Sequence, residues 1–101
     1  MEIPDGLIEP NKNAPFGFSL DFFYGYLWKE KNSIYLSLII SRYPGKGNFK
    51  KLVNSILLSG FTCKVPNPLF IMKYILEKWG FKKTYEYVEI AGEDVEVYTK
   101  K

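Results

Sequence analysis

Arg42-Tyr43-Pro44-Gly45-Lys46-Gly47-Asn48 separates two segments of different periodicity, and its reading decides the fold. Before it, Ser33 to Ser41 is a nearly unbroken apolar run of strand length. After it, Phe49, Leu52, Val53, Ile56 and Leu57 recur at spacings of three and four, which places them on one face of a helix. Asn48 is a residue type that caps helix starts, and Gly60 stops the helix where left-handed backbone is favoured. The turn therefore delivers a helix N-terminus to the C-terminal end of a strand. Unpaired backbone N–H groups there, reinforced by the aligned peptide dipoles, suit an anion such as a pyrophosphate. Gly45 and Gly47 let the backbone curl around an oxygen, while Arg42 and Lys46 place positive charge at the rim. Taken alone, the spacing equally describes an ordinary strand-to-helix turn. It is neither the G-x-G-x-x-G nor the G-x-x-x-x-G-K-[ST] phosphate loop.

Working outward, residues 1–15 hold Pro4, Pro10 and Pro15 with little periodicity, and read as an irregular N-terminal arm or a short edge element. Phe16 to Trp28 reads as a strand, Lys29 to Asn32 as a polar turn, and Ser33 to Ser41 as the second strand of the hairpin. Alternation would put Leu36, Leu38 and Ile40 on one face and Tyr35, Ser37 and Ile39 on the other, both faces covered. Past the first helix, Phe61 to Val65 forms a parallel strand, with Asn67 a cap and Pro68 the first turn of a second helix that ends at Trp79-Gly80. Lys82 to Ile90 and Val95 to Thr99 flank Ala91-Gly92-Glu93-Asp94 as a last hairpin. The expected fold class is α/β with a mixed sheet, in the order β-β-α-β-α-β-β after the arm. Residues 16–101 make one domain.

Composition bounds the function classes. A chain of 101 residues, 47% hydrophobic and 18% aromatic, can bury one core. No stretch approaches the roughly 18–20 consecutive apolar residues of a membrane span, and Met1-Glu2-Ile3-Pro4 lacks the pattern of an export signal. A soluble cytoplasmic protein with no membrane partner is expected. There is no histidine and only Cys63, so histidine-based triads, the usual zinc sites and an internal disulfide are excluded. No metal is expected, and Cys63 reads as a packing residue. The net charge of +3 is modest, and Lys46, Lys50 and Lys51 look like a solvated helix face, so nucleic acid is the least favoured partner. The second helix is apolar nearly all round, at Phe70, Ile71, Met72, Tyr74, Ile75 and Leu76, which calls for cover by a second copy in a homodimer.

The segment Arg42 to Gly47 resembles the [RQ]-x-x-G-x-[GA] turn of the GCN5-related N-acetyltransferase (GNAT) superfamily, and it lies between a strand and a helix as in that family. Leu76-Glu77-Lys78-Trp79-Gly80-Phe81 is similar to the Y-E-K-L-G-F ending of the family's next helix. Together these cover roughly residues 33–99, and Pro44 to Phe81 resembles short acetyltransferase-like proteins common in bacteriophage genomes. The resemblance implies a minimal acyl-CoA N-acyltransferase-like fold, splayed between strands 33–41 and 61–65, with the pantetheine arm of acetyl-CoA inserted between them. Backbone groups of Ile39, Ile40 and Ser41 would bind that arm. The turn through Arg42, Gly45, Lys46, Gly47 and Asn48 would hold the pyrophosphate, and Asn67 would either touch coenzyme A or serve only as a cap. The implied activity is transfer of acetyl to an amine or protein acceptor. The alternative is a catalytically silent protein of this fold that binds a macromolecular, for instance host, partner. The position matching the family's proton-donating tyrosine is Leu76, Tyr74 reads as packing or surface, and Asp21 is the only acid between Glu9 and Glu30. No catalytic residue is assigned. The family's initial strand and two helices are replaced by about fifteen residues, which leaves the acceptor unspecified.

Overall fold

The structure, a computed structural model, describes residues 3–89 and 91–101. Nine elements follow in order: β1 (Gly6–Ile8), a 3₁₀ turn (Pro15–Gly17), β2 (Phe23–Glu30), β3 (Ser33–Ser41), α1 (Asn48–Leu58), β4 (Thr62–Pro66), α2 (Phe70–Lys78), β5 (Lys82–Val88) and β6 (Glu93–Lys100). The strands form one six-stranded mixed sheet in the order β1-β2-β3-β4-β6-β5. Only β3 and β4 run parallel, joined by the α1 crossover. Among the described residues no helix is long and apolar enough to cross a membrane.

Both helices pack on the same face of the sheet. Leu52, Val53 and Ile56 of α1 and Leu76 of α2 join Leu27, Ile34, Leu36, Cys63, Val65 and Tyr98 in the main core. The opposite face carries a small cluster of Tyr35, Val88, Val95 and Val97 with Trp28 against it. Each helix ends in the same Schellman arrangement. Gly60 and Gly80 donate to the carbonyls of Leu57 and Glu77 at 3.0 and 3.1 Å, and Phe61 and Phe81 donate to those of Ile56 and Leu76 at 3.3 and 3.0 Å. Because the Phe61 N–H closes α1, β4 starts at Thr62, one residue later than the apolar run suggests.

The N-terminal arm is part of the sheet. β1 pairs with β2 from Gly6↔Lys29 to Ile8↔Leu27, and Ile8 enters the core. Asp5 locks the arm down by accepting from Lys29 Nζ at 2.7 Å and from the Lys31 N–H at 3.1 Å. Hydrogen bonding to Lys29 lowers the Asp5 pKa. Phe16 to Phe22 is not strand. Phe16 and Gly17 have positive φ, which folds the chain so that Phe18 is fully buried beside Phe23, ring centroids 5.5 Å apart. Conversely β2 runs on through Lys29 and Glu30, leaving a two-residue turn at Lys31-Asn32. β5 ends at Val88 and β6 begins at Glu93, so the last strand is longer than Val95–Thr99. Ile90, expected at the end of β5, lies outside the described residues.

The largest departure is inside β3. Between the pairs Tyr26↔Leu38 and Trp28↔Tyr35, β3 advances three residues while β2 advances two. One residue is therefore inserted at Leu36-Ser37, a bulge that reverses the in–out alternation. Leu36 lies in the helix-side core, whereas Leu38 and Ile40, expected on the same face, point to the other side and are about half exposed (49% and 53%). Ile39 takes the helix-side position instead. The expectation that both faces of β3 are covered holds for Ile34 to Leu36 and fails beyond.

Candidate functional site: the cleft between β3 and β4

β3 and β4 pair at only three positions, Ser33↔Thr62, Ile34↔Cys63 and Tyr35↔Lys64. Beyond Tyr35 the two strands part. β3 continues for six residues held by β2 alone, while β4 turns away through Pro66 to Leu69. The gap is a cleft of about 480 Å³, walled by Leu36 to Ile40 on one side, Val65 to Leu69 on the other, and Phe49 and Met72 from the two helices. Its lining is mostly apolar, suited to an extended chain with few polar groups. Among the described residues, the β3 backbone groups facing the gap have no strand partner and remain available to such a chain.

The predicted residues divide between this cleft and its rim. Ile39 and Ile40 line it, as does Asn67 from the other wall. Ser41 pairs with Phe23 at the end of β3 and is half-buried. Arg42, Gly45, Lys46 and Gly47 form an exposed turn leading from the mouth into α1. Gly45 and Gly47 have φ of 83° and 78°, so the turn needs glycine for its backbone, while a Cβ at either would meet open space. Asn48 is not the cap of α1. Gly47 holds that place, no side chain caps the helix, and no acid stands in its first turn. The N–H groups of the first turn are thus free, with Lys46, Lys50 and Lys51 nearby in sequence and all exposed. Arg42 donates its N–H to the Phe22 carbonyl at 2.7 Å, and its guanidinium lies 4.0 Å from the centre of the Tyr24 ring.

Asn67 is not a helix cap either. It sits at φ 47°, a conformation asparagine tolerates, and its N–H donates to the Glu96 carbonyl at 2.6 Å. This bond extends the β4–β6 ladder past Pro66↔Val97 and postpones α2 to Phe70. Asn67 therefore belongs to the wall of the cleft.

Sequence reasoning missed Ser37. The bulge buries its Oγ, which has no hydrogen-bond partner among the described residues. Ser37, Pro66 and Asn67 also border a second cavity of about 260 Å³, completed by Tyr26, Ala91, Glu93 and Val95. The two cavities therefore meet at the bulge, one apolar and the other carrying a phenol and a carboxylate. Ser37 is the one small polar side chain inside the run from Ile34 to Ile40, and a lone serine in a strand does not mark an inserted residue, so its role was not legible from its type.

Leu76, which the resemblance would set against the GNAT tyrosine, is fully buried, and Tyr74 is 61% exposed. Burial pushes the Cys63 thiol up to about 12, which removes it as a nucleophile near neutrality. On the exposed side of α2, Leu69, Phe70 and Ile71 stand open together with Tyr74. Comparison with protein-family models, with characterised proteins and with solved structures returns no match to this chain.

Proposed function

We propose that the cleft between β3 and β4 binds the pantetheine arm of an acyl-coenzyme A, and that the protein transfers the acyl group to an amine on a minimal GNAT-like fold. The observation that carries this reading is the early end of the β3–β4 ladder, which opens an apolar cleft whose mouth is the glycine turn and the uncapped start of α1. Pyrophosphate would accept hydrogen bonds from the first turn of α1, with Arg42 and Lys46 at its edge. The pantetheine amides would pair with free β3 backbone groups around Ile39, Ile40 and Ser41, and Asn67 would lie against the arm from the opposite wall. The thioester then arrives near the bulge. An amine entering through the second cavity attacks the thioester carbonyl. The N–C bond forms, backbone N–H groups hold the oxyanion, and the C–S bond breaks. Glu93 takes the ammonium proton, directly or through water, and coenzyme A leaves as thiolate, which its pKa of about 8.5 permits without a dedicated acid.

A second reading is favoured by two observations: the buried Leu76 offers no proton, and the face of Tyr24, Leu38 and Ile40 is uncovered. On that reading the chain keeps the fold and acts by holding a macromolecular partner. Calorimetric titration of acetyl-CoA and desulfo-CoA into wild type and Gly47→Glu separates the two. Binding to wild type alone, followed by thiol release with an amine panel, is the outcome expected of the acyltransferase. Binding without turnover favours the silent protein, and no binding at millimolar ligand overturns the coenzyme A site.

A further inference from the structure

β5 lies at the edge of the sheet and pairs with β6 through seven consecutive positions, from Lys82↔Thr99 to Val88↔Glu93, with no shift of register. Natural edges are commonly blunted by proline, a bulge, extreme shortness or charged side chains, lysine above all. β1, at the other edge, has three residues and is flanked by Pro4 and Pro10. β5 has no proline, no bulge and full length, and its only lysines, Lys82 and Lys83, stand at one end, where a strand of complementary charge can match them. The backbone direction of its residues follows from the neighbouring ladder. The Glu96 carbonyl faces β4, since it accepts from the Asn67 N–H, so Val95 and Val97 turn their backbone groups toward β5. Their partners Glu86 and Thr84 face inward, which leaves the N–H and C=O groups of Lys83, Tyr85 and Tyr87 pointing out of the sheet. Tyr85 and Tyr87 are also the most exposed aromatic side chains of the strand, at 71% and 62%.

The charge pattern says what pairs there. β5 and the residue after it read basic to acidic, from Lys82 and Lys83 to Glu86 and Glu89. A second β5 laid parallel would set lysine beside lysine, whereas one laid antiparallel sets the basic end beside the acidic end. We propose that a second copy of this chain docks antiparallel on β5, continuing the two sheets into one across a two-fold axis. With Tyr85 opposite the partner's Tyr85, the outward-facing residues pair with each other, Lys83 stands opposite the partner's Tyr87, and Glu89 of the partner subunit is its diagonal neighbour. The edge is about 23 Å long at the rise of an extended strand. This dimer is independent of acyl transfer, and its success or failure leaves the coenzyme A titration untouched.

Sedimentation of the wild-type protein over a micromolar to high-micromolar series should give a two-chain mass. In the same series, amide exchange at Lys83, Tyr85 and Tyr87 should slow as the dimer fills. Tyr85→Pro removes an outward N–H and no β6 hydrogen bond, and should sediment as a single chain with an unchanged circular dichroism spectrum. Should that variant not fold, Lys83→Glu is expected to weaken the dimer at least several-fold, and Lys83→Glu with Glu89→Lys to restore it. Phe70→Glu should remain dimeric. A single-chain mass for wild type throughout overturns the proposal, as does a dimer lost in Phe70→Glu and kept in Tyr85→Pro, which would seat the second copy on α2.

Discussion

The Arg42 guanidinium lies 4.0 Å from the centre of the Tyr24 ring, where the end of β3 is paired with the start of β2. The ring holds in place the only arginine of the chain at the mouth of the cleft. A cation on an exposed aromatic face is worth about 0.5–1 kcal/mol. Tyr24→Ala should therefore weaken the proposed acetyl-CoA binding about two- to fivefold by releasing Arg42, and Arg42→Ala about tenfold or more by removing a charge-assisted donor. The double variant should bind like Arg42→Ala alone. Calorimetry of the three variants reads this cycle, and additive losses would contradict it.

Ser37 carries a buried hydroxyl with no hydrogen-bond partner among the described residues. Replacing such a group with a methyl removes an uncompensated desolvation cost. Ser37→Ala should therefore leave the urea midpoint unchanged or raise it, by up to about 1 kcal/mol in stability. On the proposed acyl transfer, activity should fall, because the thioester would pass this point between the two cavities.

Glu86 accepts from Lys64 Nζ at 2.9 Å and from the Tyr35 hydroxyl at 3.3 Å, tying β5 across β6 to β4 and β3. Burial is the largest single effect on Lys64 and lowers its pKa, but the hydrogen bond to Glu86 together with the attraction of Glu86 and Tyr35 outweighs it, so the pKa is raised. Glu86→Gln would leave a part-buried ammonium without its counter-charge, and should cost about 1–3 kcal/mol in urea unfolding.

Alkaline pH should destabilise the fold in a defined window. Burial, with help from Glu77, which accepts from its hydroxyl at 3.2 Å, pushes the Tyr98 phenol up to about 12 from an ordinary value of 10.0. Burial moves the Cys63 thiol to about 12 from 9.0. In both cases the unfolded chain loses its proton first, so the stabilising contribution is complete below pH 9 and is lost as pH rises toward 12. Urea midpoints should be flat from pH 7 to 9 and then decline. Cys63→Ala should delay the onset of the decline, and Tyr98→Phe should flatten its upper part.

α1 and β3 were legible in the sequence because their signals are local. The apolar stripe of α1 is three- and four-spaced, and Gly60 and Gly80 take the left-handed backbone that stops each helix. Cap chemistry was less so. Asn48 and Asn67 are good caps by type, yet the positive φ of Gly47 already ends the turn before α1, and the Glu96 carbonyl claims the Asn67 N–H. Phe16 to Phe22 has the composition of a strand, and only its packing around Phe18 shows that it folds under the sheet.

The sequence by itself determined the succession of strands and helices after the arm, the glycine turn ahead of α1, and the absence of histidine chemistry. These depend on residue type and spacing over a few positions. The tertiary structure decided the sheet order, the bulge at Leu36-Ser37, the parting of β3 from β4 after Tyr35, and the free edge of β5. Each of these is a choice of hydrogen-bond partner between residues distant in the chain. Many registers satisfy the same local pattern, and they are separated only by the core that the whole sheet and both helices bury together.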